Sequence, residues 1–276
     1  MLKEGCNKMK LTLILLIVFG LASCMNKEAN VREQFFPKQE IKAKAIPQKE
    51  KIWVFILAGQ SNMAGRGFVE PQDTIPATKI FTINREGEII LAKEPLHFYE
   101  PSLAGLDCGL SFARTIIEHF PDSISVLLIP TAVGGSSINH WLEDTVYRNV
   151  KLLTNFTQKV ELANKYGEIK GILWLQGESD ANQHDIPSYR DKLTALLKKF
   201  REIANNNDLP VYIGELGSYS KNHKYWMKIN EQIRLYAASD INAIIINTAD
   251  LKDKGDRVHF NSERSEERRV GKECRS

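Results

Sequence analysis

Cysteine is scarce in this 276-residue chain. There are four in all, and only Cys108 stands in the long central part, so no disulfide framework holds that part together. No apolar run reaches the roughly 20 residues that a membrane-spanning helix needs; the stretch Leu11–Leu21 is short and interrupted by Thr12 and Gly20. Charge of one sign is lacking too. The formal net charge is +3, and Met1–Ser23 and Arg264–Ser276 each carry +2, which leaves Cys24–Glu263 at −1. A nearly neutral body has no electrostatic footprint for nucleic acid, so no such partner is expected. Gly-x-x-x-x-Gly-Lys-Ser/Thr, His-Glu-x-x-His and paired cysteines are all missing, which removes the common phosphate-loop and zinc motifs. No metal and no cofactor are expected. Internal repeats are absent, and the length that remains suits one domain with a single substantial core.

The two ends read differently from the centre. Lys8 and Lys10 precede the Leu11–Leu21 run, a pattern that suits a signal-peptide core. The run closes on Leu21-Ala22-Ser23-Cys24, which resembles the lipobox of bacterial lipoproteins. That resemblance implies removal of residues 1–23, a diacylglycerol on the Cys24 sulfur and a membrane anchor at the bacterial cell envelope, periplasmic or outer-membrane. Residues 24–50 are rich in Lys, Glu, Gln and Pro without apolar periodicity and are expected to be a flexible tether. At the other end, Arg264–Ser276 has no periodicity and resembles the translation of a sequencing-library adapter. Residues 264–276 are therefore expected to be an artefact behind a native sequence truncated near Glu263, with the domain itself at 51–263.

Within that domain, Ile52–Ala58 is an apolar, β-forming run that predicts a strand buried on both faces. Ile124–Ile129, Ile169–Leu175, Val211–Leu216 and Ala243–Ile246 read the same way. Lys79–Asn84 and Glu88–Ala92 flank Arg85-Glu86-Gly87 as a hairpin or surface excursion. Helical spacing marks Gly109–Phe120, Val146–Tyr166, Pro187–Ala204 and Lys224–Ala238. Strands that alternate with helices predict an α/β fold: three α/β/α layers around a parallel sheet.

Four of these strands end in polar loops: Gly59-Gln60-Ser61-Asn62-Met63, Thr131–Ser137, Gln176-Gly177-Glu178-Ser179-Asp180 and Thr248-Ala249-Asp250. In a parallel sheet these ends share one edge, where open α/β sheets place their ligands. Acyl transfer needs a nucleophile, a base, an orienting carboxylate and oxyanion donors. Ser61 supplies a hydroxyl at the end of the first strand, although a serine there also suits a helix cap. His259 in Asp256-Arg257-Val258-His259 supplies a base with a carboxylate three residues before it. His97, His119, His140, His184 and His223 lack that pairing. The backbone N–H groups of Ser61 and Gly135 and the side-chain amide of Gln176 are candidate oxyanion donors. Gly59-x-Ser61-x-Met63 lacks the second glycine of the α/β-hydrolase nucleophile elbow.

Taken together, Gly59-Gln60-Ser61-Asn62-Met63-Ala64-Gly65, Val133-Gly134-Gly135-Ser136, Trp174-Leu175-Gln176-Gly177-Glu178-Ser179-Asp180 and Asp256-x-x-His259 resemble the sialate O-acetylesterase and acetylxylan esterase group. That group is carbohydrate esterase family six and its relatives, within the SGNH hydrolase superfamily. Pro95-Leu96-His97-Phe98 and Gly109-Leu110-Ser111-Phe112-Ala113 are also similar to it. The resemblance implies a flavodoxin-like sheet, no metal, and an acetylated glycan or sugar as substrate. It implies Ser61 as nucleophile, His259 as base, and Gly135 and Gln176 as oxyanion donors. Asp256 is the expected third member, with Glu178 the alternative because Gln-Gly-Glu recurs in the group. It also implies a closing helix after the histidine. The other function class compatible with these residues is a non-catalytic glycan-binding surface lipoprotein on the same fold.

Overall fold

The computed structural model describes residues 32–262. The leader at 1–23, Cys24 and the segment Arg264–Ser276 lie outside them. In chain order the strands are β1 (Ile52–Gly59), β2 (Ile80–Ile83), β3 (Ile89–Leu91), β4 (Ser125–Pro130), β5 (Val146–Tyr147), β6 (Val150–Lys151), β7 (Glu168–Leu175), β8 (Val211–Gly214) and β9 (Ala243–Ile246). The α-helices are α1 (Ser61–Ala64), α2 (Gly109–Ile117), α3 (Ile138–Glu143), α4 (Leu152–Tyr166), α5 (Ile186–Ile203) and α6 (His223–Ala237).

Seven strands form one sheet in the order β3-β2-β4-β1-β7-β8-β9, parallel except for the antiparallel edge pair β2–β3. Without that edge pair the order β4-β1-β7-β8-β9 is the 2-1-3-4-5 winding of flavodoxin-like sheets. The α/β/α layering expected from the alternation of strands and helices, and the flavodoxin-like sheet that the family resemblance implies, are both observed. Strand β1 sits at its centre. Ile52, Val54, Ile56 and Ala58 face one apolar layer, while Phe55 and Leu57 face the other, as the two-residue period of a strand requires. Order reverses between β1 and β7, so the crevice at their carboxyl ends is the natural place for a ligand.

The two layers differ. Residues of α3, α4, α5 and α6 pack on the first face. Its centre is an aromatic nest: the Phe200 ring stacks on Phe156 at 4.0 Å and meets Trp141 and Trp174 edge-on at 5.7 and 5.8 Å. On the second face α2 contributes Leu110, Phe112 and Ala113. A mostly apolar cavity of about 110 Å3 lies on this side, bounded by Phe112, Leu173, Leu175, Tyr212 and Phe260.

Three sequence expectations change. Val146–Tyr166 is not one helix. Arg148 and Asn149 adopt φ of 47° and 64°, the paired left-handed geometry of a tight hairpin turn, and β5 and β6 pair across it. The helix starts only at Leu152. Helix α3 was not anticipated; it follows Ser137, whose hydroxyl caps it by accepting the His140 N–H. Of the expected tether at 24–50, the described residues 32–50 are instead docked on the domain, with residues 39–42 along the sheet edge. Leu91 N–H donates to Ile41 O at 2.9 Å, Lys93 Nζ to Gln39 O at 2.7 Å and Arg32 Nη1 to Ala104 O at 2.6 Å. An edge strand offers unpaired backbone groups, and this segment covers them.

The aromatic nest supports the whole first face. Phe200→Ala is expected to lower unfolding free energy by about 3–5 kcal/mol, read as a drop in the urea midpoint without change of slope.

Candidate active site

Strand β1 delivers Ser61. At Gly59, φ is 138°, and a Cβ there would lie 2.1 Å from Leu175 O, so only glycine lets β1 leave the sheet beside β7. Gln60 follows as the cap of the single-turn α1, and Ser61 is its first residue. Ser61 is 6% exposed. Its hydroxyl donates to His259 Nε2 at 3.0 Å, and His259 Nδ1–H donates to Asp256 Oδ2 at 2.8 Å. The carboxylate thereby fixes the tautomer that leaves Nε2 free to accept.

The histidine loop is tightly wound rather than helical. Asp256 Oδ1 accepts the Val258 and His259 N–H groups at 2.9 and 2.8 Å. Asp253 Oδ2 accepts those of Gly255 and Arg257 at 3.0 and 2.6 Å. Asn62 then clamps this loop to the serine turn: its Oδ1 accepts Phe260 N–H at 3.0 Å and its Nδ2 donates to Val258 O at 3.1 Å. The same Nδ2 donates to Glu178 Oε1 at 2.6 Å. Between the two candidate acids, Asp256 is therefore the one on the imidazole, and Glu178 supports Asn62.

The electrostatics follow from burial. Burial lowers the His259 pKa from its ordinary 6.5 and outweighs the opposing pull of Asp256. Partial burial raises Asp256, yet the N–H groups and imidazole of His259 and the Val258 N–H bring its net value below the ordinary one. Glu178 is pushed up to about 7, chiefly by burial, and its Oε2 has no hydrogen-bond partner among the described residues.

The Gln176 side chain, expected as an oxyanion donor, lies in the interior of the loop cluster. It is fully buried, and the two protons of Nε2 are within reach of three acceptors, Gln60 Oε1, Ser136 O and Asp180 Oδ2, at 3.2, 3.1 and 2.5 Å. Its Oε1 accepts the Tyr189 hydroxyl at 3.1 Å. A buried amide must satisfy its groups, and here it ties three loops together instead of facing the cleft. The backbone N–H groups of Ser61 and Gly135 make no hydrogen bond among the described residues, and Gly135 takes a φ of 75°.

Other contributors carried no role in the sequence reading. Glu100 Oε2 accepts Gly134 N–H at 2.5 Å and Arg66 Nη2 at 2.7 Å, and Arg148 pairs with its other oxygen. Arg66 lies so close under the loop that a Cβ on Gly134 would stand 2.1 Å from its Nη2. Nothing in the spacing of Arg66, Glu100 and Gly134 announces this. Asn62 was visible inside the serine motif but had no assigned partner. His97 and His184 do have carboxylate partners, Asp107 at 2.8 Å and Asp185 at 3.0 Å, so a paired carboxylate alone does not mark a base. What distinguishes His259 is the serine on its other nitrogen. Among the described residues no group of three His, Cys, Asp or Glu could hold a metal ion.

A doubly wound α/β/α domain with a serine, a histidine and a carboxylate at its switch crevice has the constellation used for acyl transfer. The family model for carbohydrate esterases described as sialic acid-specific acetylesterases matches residues 51–274, a span that includes most of the adapter-like segment. The chain belongs to that family. It is 30% identical over 246 residues to a probable carbohydrate esterase of Arabidopsis thaliana, covering 82% of this chain and 89% of the plant protein. The crystal structure of an Arabidopsis thaliana protein superimposes with a TM-score of 0.69 at 28% identity, covering 79% of this chain and 94% of the other. NanS shares the fold at a TM-score of 0.59 and 20% identity, over 77% and 81% of the two chains. A carbohydrate acetylesterase from Xanthomonas citri does so at 0.59 and 16%, over 80% of this chain and 54% of that one.

An NMR titration of the His259 ring is expected to give a midpoint below 6.5. Because Asp256 raises that pKa, Asp256→Asn should move the midpoint lower still. A wild-type midpoint at or above 6.5 would contradict the dominance of burial.

Proposed function

We propose that this protein is a serine esterase that removes O-acetyl groups from carbohydrates through an acetyl-Ser61 intermediate. The observation that carries the reading is the relay from Ser61 Oγ to His259 Nε2 at 3.0 Å and from His259 Nδ1 to Asp256 at 2.8 Å. Ser61 Oγ attacks the acetyl carbonyl carbon as its proton passes to His259 Nε2. The charge that develops on the carbonyl oxygen is met by the N–H groups of Ser61 and Gly135. His259 then returns the proton to the departing sugar oxygen. In the second half it takes a proton from water, which attacks acetyl-Ser61, and gives that proton to Ser61 Oγ as the ester bond breaks and acetic acid departs, ionising to acetate in solution. Asp256 holds the imidazole and stabilises its charged form.

Membership of the carbohydrate esterase family supports an acetylated sugar as substrate. The family's description names sialic acid, which favours a sialate O-acetylesterase over an acetylxylan esterase. Ser61→Ala and His259→Ala are each expected to reduce acetate release from an aryl acetate by roughly 10³-fold or more. Undiminished hydrolysis by either variant would remove the mechanism.

Leu21-Ala22-Ser23-Cys24 also leads us to infer a lipid anchor on Cys24 at the cell envelope. Radiolabelled palmitate should enter the full chain and not its Cys24→Ala variant, and the variant should shift from the membrane to the soluble fraction. Equal labelling of both would refute the anchor.

A further inference from the structure

The hairpin that replaces the first turns of the expected helix walls a second cleft. It lies between β5–β6, Phe98-Tyr99 and the outer side of α4, with a volume of about 490 Å3, within the range of small-molecule pockets. Four cationic side chains line it, Arg85, Arg148, Lys151 and Lys159, and no carboxylate does. Arg85, Lys151 and Lys159 make no ion pair within 4 Å among the described residues. Only Arg148 has one, with Glu100. The cations are not loose. The Arg85 guanidinium and the Lys159 ammonium stand 6.0 and 5.7 Å from the centre of the Phe98 ring, which holds both by cation–π attraction. Phe98 in turn packs against Tyr99 with ring centres 4.7 Å apart. Burial lowers the pKa of Lys159 from its ordinary value; a half-desolvated ammonium without a counter-ion gains most from an anion that arrives.

One wall residue of the cleft, Arg148, also lies beside the Gly135 loop of the candidate site. Arg148 Nη2 lies 3.6 Å, and the Tyr147 hydroxyl 2.7 Å, from the point a Cβ on Gly135 would occupy. Arg148 and Asn149 hold left-handed backbone conformations unusual for side-chain-bearing residues, the kind of local strain that a surrounding structure must maintain. Several fixed cations beside aromatic rings suit a planar carboxylate on a ring with apolar C–H edges. A polynucleotide is a poor fit, since the Cys24–Glu263 body carries a net charge of −1.

We propose that this cleft is a subsite for a carboxylate-bearing sugar ring, one unit removed from the sugar whose acetyl ester faces Ser61. The sugar's carboxylate is bound by Lys159 and Arg85, with Arg148 at the end of the cleft held by Glu100, and its ring lies against Phe98 and Tyr99. The placement relative to the ester rests on the esterase reading; the binding does not. The test is calorimetric titration of the full chain with glucuronate and with glucose, which share a ring and differ in the carboxylate. Glucuronate is expected to bind at least about tenfold more tightly. Lys159→Gln and Arg85→Gln should each weaken it by roughly three- to tenfold while glucose binding and the melting temperature stay put. Equal affinity for the two sugars, glucuronate binding unaltered in both folded variants, or glucuronate no tighter than inorganic phosphate would overturn the proposal. In the Ser61→Ala chain, glucuronate binding should persist while acetate release is lost. Acetate release that survives in Ser61→Ala, with glucuronate binding intact, would sink the esterase reading alone.

Discussion

The site depends on one contact made across 196 residues. Asn62 holds Val258 O and Phe260 N–H with the two ends of its amide, and these flank His259. Phe260 packing and Ser262 bonded to Phe68 O also hold this loop, but Asn62 is the residue that ties it directly to the serine turn, where His259 stands 3.0 Å from Ser61. Asn62 can do this because it follows the serine in a turn that β1 fixes rigidly. Its second acceptor, Glu178, comes from the end of β7, so the clamp joins the first, third and last loops of the switch crevice in one hydrogen-bonded unit. An imidazole can act on a hydroxyl only when it is held in line with it, so a contact that fixes the loop matters beside the identity of the side chain.

Around this clamp the chain spends buried polar groups on shape. Gln176 and Asp180 are almost fully buried and join the loops after β1, β4 and β7. Glu100 and Arg66 do the same beneath Gly134 and Gly135, where Glu100 accepts from the backbone and from two guanidinium groups. Unpaired, any of these groups would be costly in a low-dielectric interior; paired, they make the crevice stiff. Burial sets the sign at His259, which it lowers, and at Glu178, which it raises, whereas at Asp256 the hydrogen bonds from the histidine loop win over burial. An imidazole kept neutral is the form that can accept the proton of an alcohol.

The sequence by itself determined a parallel α/β sheet and its main chemistry-bearing residues, but not that β2 and β3, which read equally as a surface excursion, extend that sheet. Strand periodicity places Ile52–Ala58 at the centre, and the order of loops puts Ser61, Gly135, Gln176 and His259 on one edge, because parallel strands all end on the same side. Asp256 and His259 pair through a short loop, so their contact is local and readable from spacing. Non-local contacts were not readable. Whether Gln176 faces the cleft or the interior depends on acceptors from Gln60, Ser136 and Asp180, which only the packed sheet brings together. The same holds for Asn62 on the histidine loop and for Arg66 and Glu100 under the glycines. The hairpin at Tyr147–Val150 hid inside an apolar pattern that suits a helix, since two left-handed residues in a turn leave little trace in periodicity. Tertiary structure decided these points, because each depends on atoms far apart in the chain competing for one position in space.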